Sequence, residues 1–399
     1  MQALLKKIHG DKYIWLVVFL LSVFSLLAVY SSTGTLAYKY QSGNTEYYLL
    51  KHLSILVIGL GLMYLAHLVD YRYYSRIAQL LLYVSVPLLI ITLFMGTTLN
   101  TTPRWLTLPV INLTFQTSDL AKLALIMFLA RVISKKQDII HDYKNAFIPI
   151  ILPVVVICIL IAPANLSTAL MLFTTCVLIM FIGRVKIAHI AAMAGIMIGV
   201  LSIMILILTL TPTRGRLETW KNRIENFMDK DSEPYQVTQS KIAIAKGGII
   251  GNGPGNSHQR NFLPHPYSDF IYSIIIEEYG LMGGALMIFL YLLFLFRTIK
   301  IVAKSPNAFG SLLAVGLSIS LVLQAMINMA VAVNLVPVTG QTLPLVSMGG
   351  TSLFFVSISV GIILSVSRDI ELTKGMKQEA DSKDSKESKE KSLSVEITS

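Results

Sequence analysis

Long runs of apolar residues constrain the fold of this chain more than any other feature. A run of roughly 20 apolar residues is long enough to cross a bilayer as a helix. Of the 399 residues, 54% are hydrophobic and only 14% are charged, a balance too apolar for a soluble domain. The sequence therefore predicts an all-α integral membrane protein. About ten membrane helices are predicted, near residues 13–33, 47–69, 76–97, 117–134, 146–163, 165–183, 187–210, 270–297, 309–334 and 350–368.

The distribution of basic residues predicts how these helices are oriented. Lys and Arg are enriched in the cytoplasmic loops of membrane proteins. One set of loops carries most of them, including Lys135 and Lys136. The opposite short loops hold little beyond Lys39, Lys51 and Arg104. Both termini are therefore predicted to be cytoplasmic. The net charge of +11 reflects this bias, so we expect membrane lipid and no nucleic acid as a partner.

This orientation divides the chain into three parts. Residues 1–12 form a cytoplasmic N-terminal segment, and residues 13–368 form the polytopic membrane domain. Residues 369–399 are rich in Lys, Glu and Ser, too polar to bury a core, and are predicted to be a disordered cytoplasmic tail. A long extracytoplasmic loop, residues 211–268, lies between the seventh and eighth helices.

The long loop contains apolar, basic and glycine-rich stretches. Residues 216–228 and 235–250 are typical of amphipathic helices on a membrane surface, with Ile242, Ala245 and Ile249 on one side of the second. The loop has eight Lys or Arg against five acids, which suits either a pyrophosphate or anionic lipid headgroups.

Glycines close this loop, and their role is ambiguous in the sequence. The run Gly251–Gly255 can bring backbone amides close to a ligand or can form a simple turn. It lacks the Gly-Lys-Ser/Thr ending of a phosphate-binding P-loop.

Several acids lie at or near the outer ends of predicted helices. Asp269 directly precedes the eighth helix, where it can cap that helix or act as a general base. Glu277 and Glu278 lie two turns deeper in an apolar helix and are either functional or paired with a buried base. Gln324 and Asn328 are four apart, a spacing that favours contacts between helices.

A second polar cluster opens the fourth helix. Asp119 and Lys122 are three residues apart and share one helix face. They form either an ion pair facing the protein interior or a helix cap with a lysine that reaches the membrane surface. Asn165 and Ser167, between two closely spaced helices, are predicted to be turn and cap residues.

Four segments, taken in order, carry a family pattern. They are Pro103-Arg104-Trp105 with Gln116-Thr117-Ser118-Asp119-Leu120-Ala121-Lys122; Tyr235-Gln236-Val237-Thr238-Gln239-Ser240 with Gly247-Gly248; Phe262-Leu263-Pro264 with Asp269-Phe270-Ile271 and Glu277-Glu278-Tyr279-Gly280; and residues 334–352, which end in Ser347-Met348-Gly349-Gly350-Thr351-Ser352. Together they resemble the SEDS family, which includes FtsW, RodA and SpoVE. The resemblance covers essentially the whole chain except the tail.

This resemblance implies a peptidoglycan glycosyltransferase that polymerises lipid II outside the cytoplasmic membrane and releases undecaprenyl diphosphate. It implies that Asp269 is the catalytic base, with Lys122 and Asp119 as further catalytic residues. Candidate substrate-binding side chains are Arg104, Trp105, Gln116, Gln239, Ser240, Arg260, Glu277, Glu278, Ser347 and Ser352.

The implied chemistry is a single displacement with inversion. A carboxylate can accept the proton of a sugar hydroxyl, and cations such as Lys122 and Arg260 can stabilise the leaving pyrophosphate. The resemblance implies no firm cofactor, although a divalent cation such as Mg²⁺ or Mn²⁺ could share that stabilisation. The implied partners are a class B penicillin-binding protein, the FtsI-like septal transpeptidase, and other divisome membrane proteins.

Five residues depart from the family pattern. Thr117 replaces a Pro and Asp119 replaces a longer Glu. Asn165, His265 and Met348 replace an Asp, a Glu and a Tyr, so no role of those family side chains carries over.

Other functions compete with septal polymerisation in the bacterial inner membrane. A RodA-like elongation polymerase is the alternative within the family, although the segment from Ser257 to Tyr272 looks closer to division members. A lipid II transporter and a divisome scaffold are the alternatives from other classes.

Overall fold

The structure is a computed structural model that describes residues 10–99, 102–108, 113–210, 234–305 and 307–373, together with Arg223 and Phe227. The helices are α1 (Lys12–Ser32), α2 (Gly34–Tyr40), α3 (Thr45–Leu68), α4 (Tyr71–Met95), α5 (Thr117–Lys135), α6 (Ile148–Ile161), α7 (Leu166–Ile182), α8 (Ile187–Leu210), α9 (Tyr235–Gly247), α10 (Ile271–Val302), α11 (Ala308–Ala332) and α12 (Ser352–Thr373). A three-stranded antiparallel sheet contains β1 (Thr97–Leu99), β2 (Thr102–Leu108) and β3 (Leu113–Gln116).

The predicted membrane architecture is confirmed. Each of the ten predicted segments coincides with a helix in the described part of the chain. Seven helices there are long and apolar enough to cross a membrane, and two shorter apolar helices lie at Leu166–Ile182 and Ile187–Val200. Because α5 carries four charged residues, the count of ten crossings stays a prediction.

The small sheet was missed by the all-α prediction. It connects α4 to α5, and Trp105 of β2 pairs with Gln116 of β3. These strands are rich in threonine and include aromatic residues, which favour extended backbone. A hairpin also satisfies the backbone N–H and C=O groups of a segment that lies beside the membrane helices.

Two central helices organise the core. Helices α5 and α11 bury residues along most of their length, whereas α3, α4 and α8 expose many apolar side chains. Small residues permit close packing in the centre: a Cβ on Gly316 of α11 would lie 2.7 Å from the Ile179 side chain of α7. Close approach at small residues is typical of helices packed within a membrane.

Side-chain caps begin several helices. Asp11 accepts the N–H of Tyr13 at 3.0 Å at the start of α1. Asn165 accepts the N–H of Thr168 at 3.3 Å at the start of α7. The predicted turn-and-cap role of Asn165 is therefore confirmed.

Helix α10 is broken at Gly280, which has φ 67° and ψ −172°. In a continuous helix, the carbonyls of Glu277 and Glu278 would accept N–H groups four residues further on. They instead accept the N–H groups of Asn252 at 3.0 Å and Gly253 at 2.9 Å. The glycine-rich segment of the long loop therefore replaces the missing helical partners.

The exchange is reciprocal on the other side of the break. The N–H of Leu281 donates to the Gly248 carbonyl at 2.9 Å, and the N–H of Met282 donates to the Ile249 carbonyl at 3.3 Å. All four backbone groups freed by the break are thus satisfied by residues 248–253. A membrane protein requires such compensation, because unsatisfied backbone groups are costly away from water.

This exchange explains the glycine run. A Cβ on Gly251 would lie 2.2 Å from the Glu278 carbonyl oxygen, and a Cβ on Gly280 would lie 2.1 Å from the Ile249 carbonyl oxygen. Both residues also have positive φ. The segment Gly251–Gly255 was expected to present backbone amides to a ligand. This expectation is wrong for Asn252 and Gly253, because their N–H groups donate to carbonyls of α10.

Helix α9 is the second predicted helix of the long loop, and it ends at Gly247. Its buried face consists of Val237, Ser240, Ala243 and Gly247, which differs from the predicted apolar side. Tight packing selects this face, since small residues allow the helix to approach α10 closely. The other predicted helix, over residues 216–228, lies outside the described residues except for Arg223 and Phe227.

The C-terminal boundary predicted at residue 369 is too early. Helix α12 continues to Thr373. Asp369 lies 3.7 Å from Arg72, and Glu371 accepts the N–H of Gly10 at 2.8 Å. These partners extend the helix, whereas the rest of the predicted tail, residues 374–399, lies outside the described residues.

Candidate active site

The backbone of residues 267–269 accepts a hydrogen bond at every carbonyl. The Tyr267 carbonyl accepts from the backbone N–H of Met348 at 2.9 Å. The Ser268 carbonyl accepts from Ser347 Oγ at 2.5 Å, and the Asp269 carbonyl accepts from Asn328 Nδ2 at 2.9 Å. Because Met348 contributes its backbone, replacement of the family's Tyr leaves this contact intact. Three consecutive tethers fix the position of the chain that carries the Asp269 side chain.

Asp269 is not the cap of α10. The N-cap residue is Phe270, whose side chain makes no capping hydrogen bond. Burial raises the pKa of the Tyr267 phenol, and the charges of Tyr48 and Asp269 raise it further. Burial lowers the pKa of Arg223, and the Asp269 charge opposes that effect. The half-buried carboxylate of Asp269 therefore lies within electrostatic range of a phenol and a guanidinium.

Asp119 and Lys122 form a buried ion pair on α5. Lys122 Nζ lies 2.8 Å from Asp119 Oδ1, and the two side chains are only 12% and 5% exposed. Ser352 donates a hydrogen bond to the other oxygen of Asp119, and Lys122 donates to Gln324 Oε1 at 3.3 Å. The predicted interior ion pair is confirmed, and the alternative of a cap with a surface-reaching lysine is wrong.

A small, partly open pocket of about 30 Å³ lies against this ion pair. Its polar lining consists of Asp119, Lys122, Ser320, Gln324, Ser352 and Ser359. The charged pair therefore lines a pocket formed by α5, α11 and α12.

Helix α11 connects the ion pair to Asp269. Gln324 Nε2 donates to the Thr342 carbonyl at 3.0 Å, and Asn328 Nδ2 donates to the Gln341 carbonyl at 2.7 Å. Gln341 Nε2 in turn donates to Thr168 Oγ1 at 2.7 Å. One turn of α11 thus holds both halves of the site through the loop after α11.

Glu277 is fully buried beneath the long loop. Its carboxylate accepts the backbone N–H of His258 at 3.0 Å and that of Gln259 at 3.2 Å, and Ser257 Oγ also donates to it. A carboxylate that accepts several loop donors orders the backbone. Glu277 therefore anchors the loop, and its substrate-binding role stays a prediction.

Glu278 anchors the same loop with Arg260. Glu278 accepts from Ser31 Oγ at the end of α1. Arg260 donates to the Ser31 carbonyl at 3.1 Å and to the Gly255 carbonyl at 2.9 Å, while Thr35 donates to the Arg260 carbonyl at 3.0 Å. One nitrogen of the guanidinium, Nη1, thus links the loop to α1, and the expected contact of Arg260 with a pyrophosphate stays a prediction.

The other predicted site residues are dispersed. Trp105 and Gln116 face each other across β2 and β3, and Gln116 Nε2 donates to Ser118 Oγ at 2.9 Å. Gln239 is partly buried on α9, and the Arg104 side chain lies outside the described part of the structure.

Ser240 is an internal contact between helices. It is fully buried, donates to the Ala332 carbonyl at 2.6 Å and lies 2.5 Å from Ser273 Oγ. Ser240 therefore links α9, α10 and α11, and its substrate contact stays a prediction.

His265 occupies a left-handed conformation at φ 54°. Its Nδ1 lies 3.1 Å from the hydroxyl of Tyr267, two residues before Asp269. The turn thus holds the imidazole against the tyrosine, at the position where the family pattern has a carboxylate.

Sequence reasoning missed Ser25 and His52. Both are fully buried in membrane helices, on α1 and α3, and they contact each other. The sequence did contain a signal for this pair, because a hydroxyl and an imidazole within apolar runs need polar partners inside the protein.

The divalent cation that could share the charge stabilisation stays a prediction. The described residues contain no group of three or more His, Cys, Asp or Glu side chains that could hold an ion. Within the same residues, one oxygen of Asp119 contacts Lys122 and the other contacts Ser352.

Known proteins match this chain over most of its length. The profile of the cell cycle protein family that contains FtsW, RodA and SpoVE matches residues 11–371. The chain belongs to this family. Stage V sporulation protein E of Bacillus subtilis is 32% identical over 91% of this chain and 98% of that protein. The probable peptidoglycan glycosyltransferase FtsW of Geobacter sp. (strain M18) is also 32% identical, over 91% and 98% of the two chains.

Solved structures share this family fold. The crystal structure of the rod shape determining protein RodA of Thermus thermophilus has a TM-score of 0.66 at 23% identity, over 91% of this chain and 98% of that one. A chain from a study of polymerization and crosslinking by a peptidoglycan synthase complex has a TM-score of 0.68 at 24% identity, over 90% and 98%. At these identities the likeness shows the fold.

Proposed function

We propose that this multi-pass membrane protein is a peptidoglycan glycosyltransferase that polymerises lipid II at the outer face of the cytoplasmic membrane. Relatives named peptidoglycan glycosyltransferase FtsW, aligned over nearly their whole length, support this activity. The observation that carries the site assignment is the row of three tethers on the carbonyls of residues 267–269. These tethers hold Asp269 firmly at the start of α10.

Asp269 acts as the general base of a single displacement. Its carboxylate accepts the proton of the acceptor 4-hydroxyl as that oxygen forms a bond to the anomeric carbon of the donor. The bond between that carbon and the lipid pyrophosphate breaks, and undecaprenyl diphosphate leaves with the bonding electrons. Attack opposite the leaving group inverts the anomeric configuration.

Lys122 stabilises the negative charge that develops on the pyrophosphate. An ammonium has three N–H donors. In the described structure, Lys122 directs two of them to Asp119 and Gln324, so the third can meet a phosphate oxygen. A preorganised cation needs little rearrangement when charge develops. Asp119 and Ser352 hold the ammonium in place.

The divalent cation considered from the family resemblance stays an expectation, and no step is assigned to it.

The proposed partner is a class B penicillin-binding protein that cross-links the new strands. The structural similarity to a chain of a peptidoglycan synthase complex supports such an assembly. We place the protein in the inner membrane at the division septum, with both termini cytoplasmic and other divisome proteins nearby. Relatives named FtsW favour division over elongation.

Purified protein together with its penicillin-binding partner should convert labelled lipid II into polymer. The Asp269→Asn variant keeps the side-chain shape and removes the base, so we expect polymer formation to fall by about 10²- to 10⁴-fold. Ser22→Ala is the matched control, since Ser22 Oγ is buried without a hydrogen-bond partner in the described structure. Normal polymerisation by Asp269→Asn would refute the mechanism.

The break in α10 invites comparison with transporters, whose sites often lie at interrupted helices. Here residues 248–253 form hydrogen bonds with the backbone groups that the break frees. Those groups are therefore not available to coordinate a transported ligand. Lipid II movement across protein-containing vesicles, without polymerisation, would favour transport. A scaffold would instead support division when it carries Asp269→Ala. A fluorescent fusion on the sidewall rather than the septum would favour the elongation role.

A further inference from the structure

A buried hydrogen-bonded chain connects α3 to the loop that holds Asp269. His52 of α3 and Ser25 of α1 are fully buried, and His52 Nε2 lies 2.7 Å from Ser25 Oγ. Ser25 Oγ lies 2.8 Å from the carbonyl oxygen of Val346. The three groups come from residues far apart in sequence, so the tertiary fold assembles the chain.

The direction of this chain follows from its donors. A hydroxyl has one hydrogen, and a carbonyl can only accept. The Ser25 hydrogen therefore points to Val346, and Ser25 Oγ accepts the hydrogen carried by His52 Nε2. This fixes His52 in the tautomer protonated at Nε2. Its Nδ1 is buried with no hydrogen-bond partner in the described part of the protein.

Val346 directly precedes two of the tethers at the site. Ser347 Oγ donates to the Ser268 carbonyl, and the Met348 N–H donates to the Tyr267 carbonyl. Ser347 Oγ also accepts the N–H of Leu343 at 2.8 Å, which closes the turn. A shift of the Val346 carbonyl would thus move both donors that hold the backbone before Asp269.

We propose that His52 and Ser25 are positioning residues that set the location of the Asp269 carboxylate through the Val346–Met348 segment. This inference rests on the proposed function of Asp269. Neither side chain touches the reacting atoms: each acts through a carbonyl of the outer loop. The polar chain lies within an apolar helix bundle, where such bonds favour one arrangement over alternatives.

Ser25→Ala is the sharpest test, because it removes one oxygen and breaks both bonds. We expect kcat for lipid II polymerisation to fall by about 10- to 100-fold, since small errors in catalytic geometry have effects of this size. KM for lipid II should stay unchanged, because the pair lies away from the substrate. His52→Leu should lower kcat similarly, and His52→Gln, which restores an N–H near Nε2, should recover part of it.

The double variant separates one chain from two independent effects. Ser25→Ala already disconnects His52 from Val346, so adding His52→Leu should lower kcat no further. The control Ser22→Ala, also buried on α1, should behave as the wild type. Wild-type kcat in Ser25→Ala and His52→Leu, or a loss shared by Ser22→Ala, would overturn the inference.

Asp269→Asn measured in parallel distinguishes this failure from failure of the proposed function. If Asp269→Asn is inactive while Ser25→Ala keeps full kcat, only the positioning role is wrong. If Asp269→Asn remains active, the catalytic assignment is wrong and the positioning role falls with it. Should His52→Leu fail to fold, Ser25→Ala alone decides, because it shortens one buried side chain by a single atom.

Discussion

Two acidic regions only eight residues apart in sequence have opposite designs. At Asp269 the backbone is tethered through three carbonyls, and the half-buried side chain lies within electrostatic range of a phenol and a guanidinium. At Glu277 and Glu278 the carboxylates themselves are buried and accept hydrogen bonds from the loop and from α1. The difference teaches that an acid within a membrane helix can be structural when backbone donors surround it. Function is expected at Asp269, where three hydrogen bonds to the backbone hold the chain in place.

The strongest test applies the same change to both regions. Asp269→Asn should reduce polymerisation by about 10²- to 10⁴-fold with an unchanged unfolding temperature, because it removes a base without altering packing. Lipid II polymerisation and thermal unfolding in detergent measure the two quantities. A large loss of stability in this variant would erase the contrast between the regions.

Glu277→Gln should show the opposite behaviour. The amide cannot accept all the loop N–H groups that the carboxylate accepts, so we expect about 2–4 kcal/mol of destabilisation. Chemical unfolding of the purified protein checks this value. The comparison fails if Glu277→Gln unfolds like the wild type and loses only activity.

Two glycine variants sharpen the role of the loop anchor. Gly251 and Gly255 have φ 91° and 78°, but only a Cβ on Gly251 would meet backbone, at 2.2 Å from Glu278 O. Both alanine variants should lose about 1 kcal/mol from strain. Gly251→Ala should lose at least a further 1 kcal/mol, because the loop must move off α10. Equal losses, measured by thermal unfolding, would show that close approach is unimportant.

Arg260 tests the smallest expected difference. Its side chain donates to carbonyls of Ser31 and Gly255, so Arg260→Ala should destabilise the protein by about 1–2 kcal/mol. KM for lipid II should remain unchanged if Arg260 serves to hold the loop against α1, where its Nη1 donates. A higher KM with normal stability would instead support the pyrophosphate contact expected from the sequence.

Local spacing in the sequence was enough to predict part of the site. Asp119 and Lys122 lie one helical turn apart, and the structure pairs them at 2.8 Å. Asn165 was recognised as a cap because its partner, Thr168, is only three residues away. Such contacts follow from helix geometry alone.

Contacts between distant segments were not predictable in this way. The sequence could not show that Glu278 accepts from Ser31, or that the glycine run completes a helix broken at Gly280. It also gave no sign that Ser25 and His52 meet Val346. These pairings depend on which helices pack together.

The sequence by itself determined the membrane class, the family motifs and the short-range pairs of this protein. Apolar runs determine the class because a bilayer admits only backbones that satisfy their own hydrogen bonds. Only the tertiary structure decided which polar groups are anchors and which can act on a substrate. Every buried polar group needs a partner, but composition does not identify that partner. In this protein the structure identifies those partners, as in the hydrogen bonds to the backbone around Asp269 and to the Glu277 carboxylate.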